Sequence, residues 1–190
     1  MAERRDWREL RDRTAELLRR RTGVDLAEWN RRVRSAEPRS ESELREWLAT
    51  RGVTGYPQTV LVMERFGYPG YLLASADELI EGQYADRPAL REVLDRVVEV
   101  AAGLGPLHVQ ARKGYVALVG PRRTFALVRA STKQRVDLGL RLPGQAPTGR
   151  LLAARSLGNE TINTRIPLSA PGDVDDDVLN WLRRAYEANL

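Results

Sequence analysis

The chain has 190 residues, 31 of them Lys or Arg and 26 Asp or Glu, for a net charge of +5. That length allows one domain or two small ones, and 42% hydrophobic with 30% charged residues fits a packed core beneath a charged surface. The absence of cysteine excludes disulfides, thiol catalysis and thiolate metal sites, and no apolar run approaches the roughly 18 residues that a membrane span needs.

The N-terminus, "MAERRDWREL", has no apolar signal core, which makes the expected location cytoplasmic and off the membrane. A first helix is expected from about Arg4 to Arg20, with Trp7, Leu10, Thr14, Leu17 and Leu18 on one face. Asp25 suits the cap of a second helix carrying Leu26, Trp29 and Val33. Ser40 followed by Glu43 reads as a capping box before a third helix with Leu44, Trp47 and Leu48. A fourth begins near Pro57 and stops at Gly67. Ser75 suits the cap of a short helix reaching Tyr84. Then "ADRPALREVLDRVVEVAAGLG" gives the clearest helix, with Asp86 as its expected cap and Leu90, Val93, Leu94, Val97, Val98 and Ala101 as its stripe.

From Leu107 the period changes to two. Strands are expected at Leu107–Arg112, Gly114–Val119, Arg123–Arg129, Gln134–Leu142 and Thr161–Leu168. A final helix should run from about Asp173 to Ala188, with Asp175, Asp176 and Asp177 at the positive end of its dipole. The expected class is therefore α+β: a helical domain over residues 1–70, then over 71–190 a helix, a five-stranded antiparallel meander and a helix. Two helices cover one face of such a sheet, so its other face must be wet or covered by something polar. In the fourth strand Val136, Leu138, Leu140 and Leu142 alternate with Arg135, Asp137, Gly139 and Arg141, and a one-residue slip would bury the charges.

Several separated blocks resemble a bacterial family of two adjacent domains of unknown function. The first domain's signature surrounds "TGVDLAEWNRRV" and "LREWLATRGV"; the second's surrounds "ADELIEGQYADRPALREVLDRVVEVAAGLGP", "RKGYVAL", "FALVRASTKQRVDLGLRL" and "VLNWLRRAYEANL". The resemblance covers the chain from about Thr22. It implies no transferable activity, although some members are loosely described as transport-related. The second domain is also similar in outline to frataxin-like α+β proteins, a likeness of fold alone. The chain departs from the family where "TGYPQTV" replaces a Gly-His-rich turn and where Thr164, not a histidine, precedes Arg165.

Catalytic machinery is sparse. His108 is the single histidine, and a nucleophile needs a base beside it. "DVDDD" fails an EF-hand loop, because its sixth and twelfth positions hold Val178 and Arg184. No metal or other cofactor is expected. Charge is more informative: residues 107–170 carry eleven basic residues against Asp137 and Glu160. The expected function is a non-catalytic binding protein for an anionic ligand, either nucleic acid or an acidic or aromatic small molecule. Lys113, Tyr115, Arg123, Arg129, Lys133, Arg135, Arg141 and Arg165 are the candidate contacts, Arg for its bidentate fork and Tyr115 for stacking. The sheet cations are expected to lack local partners. Trp47, Tyr56, Tyr68 and Tyr71 are candidates for an interdomain pocket. Two alternatives stand beside this reading: a small enzyme using Lys113 and Tyr115, and a module docking an acidic protein. Monomer and homodimer both remain open.

Overall fold

The computed structural model describes residues 2–3 and 7–190, with side chains from residue 8 onward. The expected helix start at Arg4 and the inward side chain of Trp7 lie outside these described residues. Contacts divide the chain after Ala74: a helical unit precedes that point, and Ser75–Leu190 with residues 2–3 forms an α+β unit. Among the described residues no helix is long and apolar enough to cross a membrane.

The helical unit contains α1 (Trp7–Thr22), α2 (Leu26–Ala36), α3 (Glu41–Ala49), α4 (Tyr56–Phe66) and the single turn α5 (Gly70–Leu73). Leu18, Trp29, Val33, Leu44, Leu48 and Leu61 close its core. Leu10, expected on the inner face, is 40% exposed. Asp25 caps α2 by accepting from Glu28 N at 2.8 Å. Ser40 caps α3 through Glu43 N at 3.2 Å, but the Glu43 carboxylate takes Arg39 N instead of completing a capping box. The polar clip of this unit is Glu64. It accepts from Arg11 Nε (2.6 Å), Tyr68 Oη (2.7 Å) and Asn30 Nδ2 (3.3 Å), tying α1, α2 and the end of α4 together. Burial acts to raise the pKa of Glu64, but the bonds from Arg11, Tyr68 and Asn30 outweigh it and hold the carboxyl below its ordinary range. Burial, reinforced by Glu64, pushes the Tyr68 phenol up to about 12.

The α+β unit holds α6 (Ala76–Tyr84), α7 (Ala89–Ala102) and α8 (Asp176–Glu187). Its strands are β1 (Ala2–Glu3), β2 (His108–Ala111), β3 (Val116–Val119), β4 (Thr124–Ala130), β5 (Val136–Leu140), β6 (Leu152–Ala153) and β7 (Thr164–Leu168), in spatial order β1-β2-β3-β4-β5-β7-β6. The five expected strands form the antiparallel run β2-β3-β4-β5-β7. Two two-residue strands extend it at the edges: β6, and β1, which pairs in parallel with β2. Neither is long enough to show a period in the sequence. Helix α7 starts at Ala89 behind Pro88, not at Asp86, which pairs instead with Arg87 at 2.7 Å. Helix α8 starts at Asp176, later than expected, because Pro171–Asp173 forms a separate 3-10 turn and Asp175 takes the cap, accepting from Val178 N at 3.1 Å.

One face of the sheet is buried under α6, α7 and α8. Val116, Leu118, Val128, Val136, Leu138, Leu140 and Ile166 meet Leu90, Val93, Val97, Val178 and Leu182 there. Each such fully buried side chain contributes about 1.5–3 kcal/mol of transfer free energy. The other face differs from the wet or polar-covered surface that was expected. Its middle is apolar: the loop between β6 and β7 lays Leu157 and Ile162 over Leu127, with Tyr115 packed alongside. Gly139 makes room for them. A Cβ there would stand 2.7 Å from Ile162 Cγ2 and 2.9 Å from Leu157 Cδ1.

Candidate anion-binding site

Beyond that apolar patch the same face opens into a cleft of about 490 Å³. Arg129 and Ser131 come from β4 and its turn, Arg135 and Asp137 from the start of β5, and Arg165 from β7. Arg155, Ser156 and Leu157 come from the β6–β7 loop. Strand register puts these groups together. Arg129 pairs across from Asp137 in the β4–β5 ladder, and Arg165 sits one step along, opposite Gly139.

Asp137 is the electrostatic centre, with a side chain only 4% exposed. Arg165 Nη1 donates to its Oδ1 at 2.7 Å, and Arg135 Nη2 to its Oδ2 at 3.5 Å. Arg135 Nε lies 3.3 Å from Oδ1 but makes no hydrogen bond and is buried. One carboxylate therefore faces two guanidiniums, while Arg129 and Arg155 add two more cations to the lining. Arg129 Nη1 donates to Ser156 O, fastening the loop to β4. On the turn side, Arg87 Nη1 donates to Ala130 O (3.2 Å) and Thr132 O (3.0 Å), fixing the β4–β5 connection from the start of α7. Two guanidiniums on one acid, with two more lining the same polar recess, form a preset field for an anion. Arg forks suit carboxylate and phosphate oxygens.

Of the eight sheet residues expected to contact a ligand, the cleft brings together Arg129, Arg135 and Arg165. Tyr115 packs into the neighbouring apolar patch, against Gly158 and Leu127. Lys113 lies in the β2–β3 connection, Arg123 in the β3–β4 connection and Lys133 in the β4–β5 turn, all exposed. Arg141 follows β5, where its backbone N donates to Phe125 O and its carbonyl accepts from Asn189 Nδ2. None of these five lines the cleft. The expectation that the cations lack partners is corrected by Asp137. Off the strands, Arg150 reaches Asp175 at 2.6 Å and Asp173 O at 2.9 Å, and Arg122 donates to Leu190 O. The acidic run before α8 is thus a capping and pairing device.

The four aromatics lie within the helical unit. Trp47 meets Trp29 edge to face in α2 and α3. Tyr56 starts α4 and is 71% exposed. Tyr68 is held by Glu64, and Tyr71 sits in α5.

Ser131, Asp137, Ala153, Arg155, Ser156 and Leu157 also line the cleft and are not among the expected contacts. Asp137 had a signal: a turn centred on Lys133 places 129 opposite 137, so the one acid of the strand faces an arginine. Arg155 and Ser156 had none, because an irregular loop has no period to project them. A family model described as a domain of unknown function, DUF5655, matches residues 80–189. No curated protein and no solved structure matches the chain.

Proposed function

We propose, from the premise that the chain belongs to the DUF5655 family, that its α+β unit binds a small anionic molecule through the cleft of Arg129, Arg135, Arg155 and Arg165. The observation that carries this reading is a recess of about 490 Å³ lined by four arginines, two of which are held on one buried carboxylate. That volume matches small-molecule pockets, which commonly run about 300–1,000 Å³. The polar lining favours a ligand recognised by charge and forked hydrogen bonds, a phosphate ester or a di- or tricarboxylate. A long polyanion is less well served, since Arg150 and Arg122 are already engaged elsewhere. Asp137 orients Arg135 and Arg165 and tempers their charge, so an incoming anion meets donors already in place.

The test is thermal unfolding at low salt with inorganic phosphate, glucose 6-phosphate and citrate, repeated on Arg129→Ala/Arg155→Ala. These two arginines leave the Asp137 pair intact. A ligand at ten times its Kd should raise Tm by about 4 °C, and the double variant should lose that rise. No stabilisation by any of the three probes, or a rise unchanged in the double variant, would overturn the reading.

A further inference from the structure

The helical unit carries a second cleft, about 850 Å³, built by the end of α1, the α2 surface and the end of α3. Trp29 closes the core beneath it at 3% exposure, and Trp47 meets Trp29 edge to face, centroids 6.3 Å apart at 88°. Trp47 is half-buried and carries the Arg51 guanidinium over its ring, 4.0 Å from the centroid. Arg51 Nη1 also donates to Trp47 O (3.0 Å) and Thr50 Oγ1 (3.1 Å), so the planar cation is held in place from two sides. Arg31 and Arg32 share one acid, Glu28, each through Nε at 2.9 Å. Arg21 adds a fourth cation, and among the described residues Glu28 is the single acid lining the cleft. Core packing accounts for Trp29. It does not account for an indole–guanidinium stack beside three further arginines in an open recess.

We infer that this cleft binds a nucleotide, with the base on the outer face of the Arg51 guanidinium and the phosphate among Arg21, Arg31 and Arg32. A bare anion needs only forked donors, whereas a guanidinium held 4.0 Å over an indole ring offers a base a planar cation to stack on. Bases stack on aromatic and guanidinium planes, and arginines neutralise phosphates. The site is separate from the sheet cleft and shares none of its residues.

The test uses the full chain at about 50 mM salt, with a fluorescein-labelled oligothymidylate read by anisotropy and AMP read as competitor and by tryptophan quenching. Wild type should bind one or both. Arg51→Glu, an exposed change checked for intact folding by far-UV circular dichroism, should weaken binding about tenfold or more, and Arg51→Lys, which keeps charge but loses the plane, should weaken it by about fivefold. Binding of the oligomer that AMP does not compete marks a single strand as the source; comparable affinity for both marks the free nucleotide. Failure of both probes to bind would overturn the inference. So would full affinity in Arg51→Glu or Arg51→Lys, or binding abolished by Arg129→Ala/Arg155→Ala. That last result would move the site to the sheet cleft and leave the previous proposal standing.

Discussion

Two residues on the sheet face away from the helices govern the α+β site, and they act in opposite ways. Gly139 has no side chain because Ile162, Leu157 and Leu127 occupy the space a Cβ would fill. Ile162 is stiff at its branch, so the loop itself must move to admit one. Gly139→Ala should lower stability by about 1–3 kcal/mol, the cost of overpacking, read from urea unfolding. It should also weaken anion binding, because the displaced loop carries Arg155 and Ser156. An unchanged urea midpoint would show that the loop yields freely. Asp137 stabilises the fold and orients Arg135 and Arg165, but its negative charge opposes an incoming anion more than that orientation helps it. Asp137→Asn leaves Arg165 and Arg135 without their carboxylate; since both arginines are partly exposed, about 1–3 kcal/mol of stability should be lost, below the range for fully buried pairs. The same change should tighten phosphate or citrate binding in the titration above, since the lining loses its only negative charge. Weaker binding in Asp137→Asn would mean that orientation of Arg135 and Arg165 outweighs the charge.

Among the elements, helix α6 shows how a local signal becomes packing. Ser75 Oγ accepts from Glu78 N at 3.1 Å and Glu78 Oε2 accepts from Ser75 N at 2.6 Å, a complete capping box. The cap aims Ile80 and Tyr84 into the sheet core. Gln83 Nε2 then donates to Arg112 O at 2.8 Å, joining the helix to the end of β2. Ser75→Ala should cost about 1 kcal/mol, seen as a lower midpoint for unfolding of the α+β unit, and no shift would mean that the helix is held by its apolar face alone.

For the molecule as a whole, pH dependence enters the helical unit through the Glu64 clip. The folded-state pKa of Glu64 is depressed, so the folded helical unit binds fewer protons than the unfolded one in the carboxylate range. Its contribution is present above the ordinary value of 4.5 and is lost as pH falls through the depressed folded value. The Tyr68 phenol is raised, so its contribution is complete below 10 and is lost as pH rises towards about 12. Unfolding of the helical unit, followed across pH, should lose stability at both ends. Glu64→Gln should flatten the acid limb; a limb that persists unchanged would assign it to other carboxylates.

Much of the architecture is legible in the sequence. The 3.6-residue stripe of α7, the alternation through β4 and β5 and the caps Asp25 and Ser75 are local patterns, and local sterics and hydrogen bonding set them. The α+β class follows, because apolar helix stripes and an apolar sheet face can be buried only against one another. The concentration of cations over residues 107–170 was equally plain. Which of those cations share a site was not. That depends on strand register carrying Arg129, Asp137 and Arg165 to neighbouring positions, and on a loop without periodicity folding back over Gly139 to bring Arg155. The Trp47–Arg51 stack likewise joins residues of one helix end to Trp29 and the arginines of another segment. Sequence alone determined that this protein has a sheet with one greasy face, and that cations concentrate in the same segment. Tertiary structure decided that the middle of the other face is covered by apolar side chains, and that Arg135 and Arg165 meet at one buried carboxylate beside it, because the contacts that do this join residues distant in the chain.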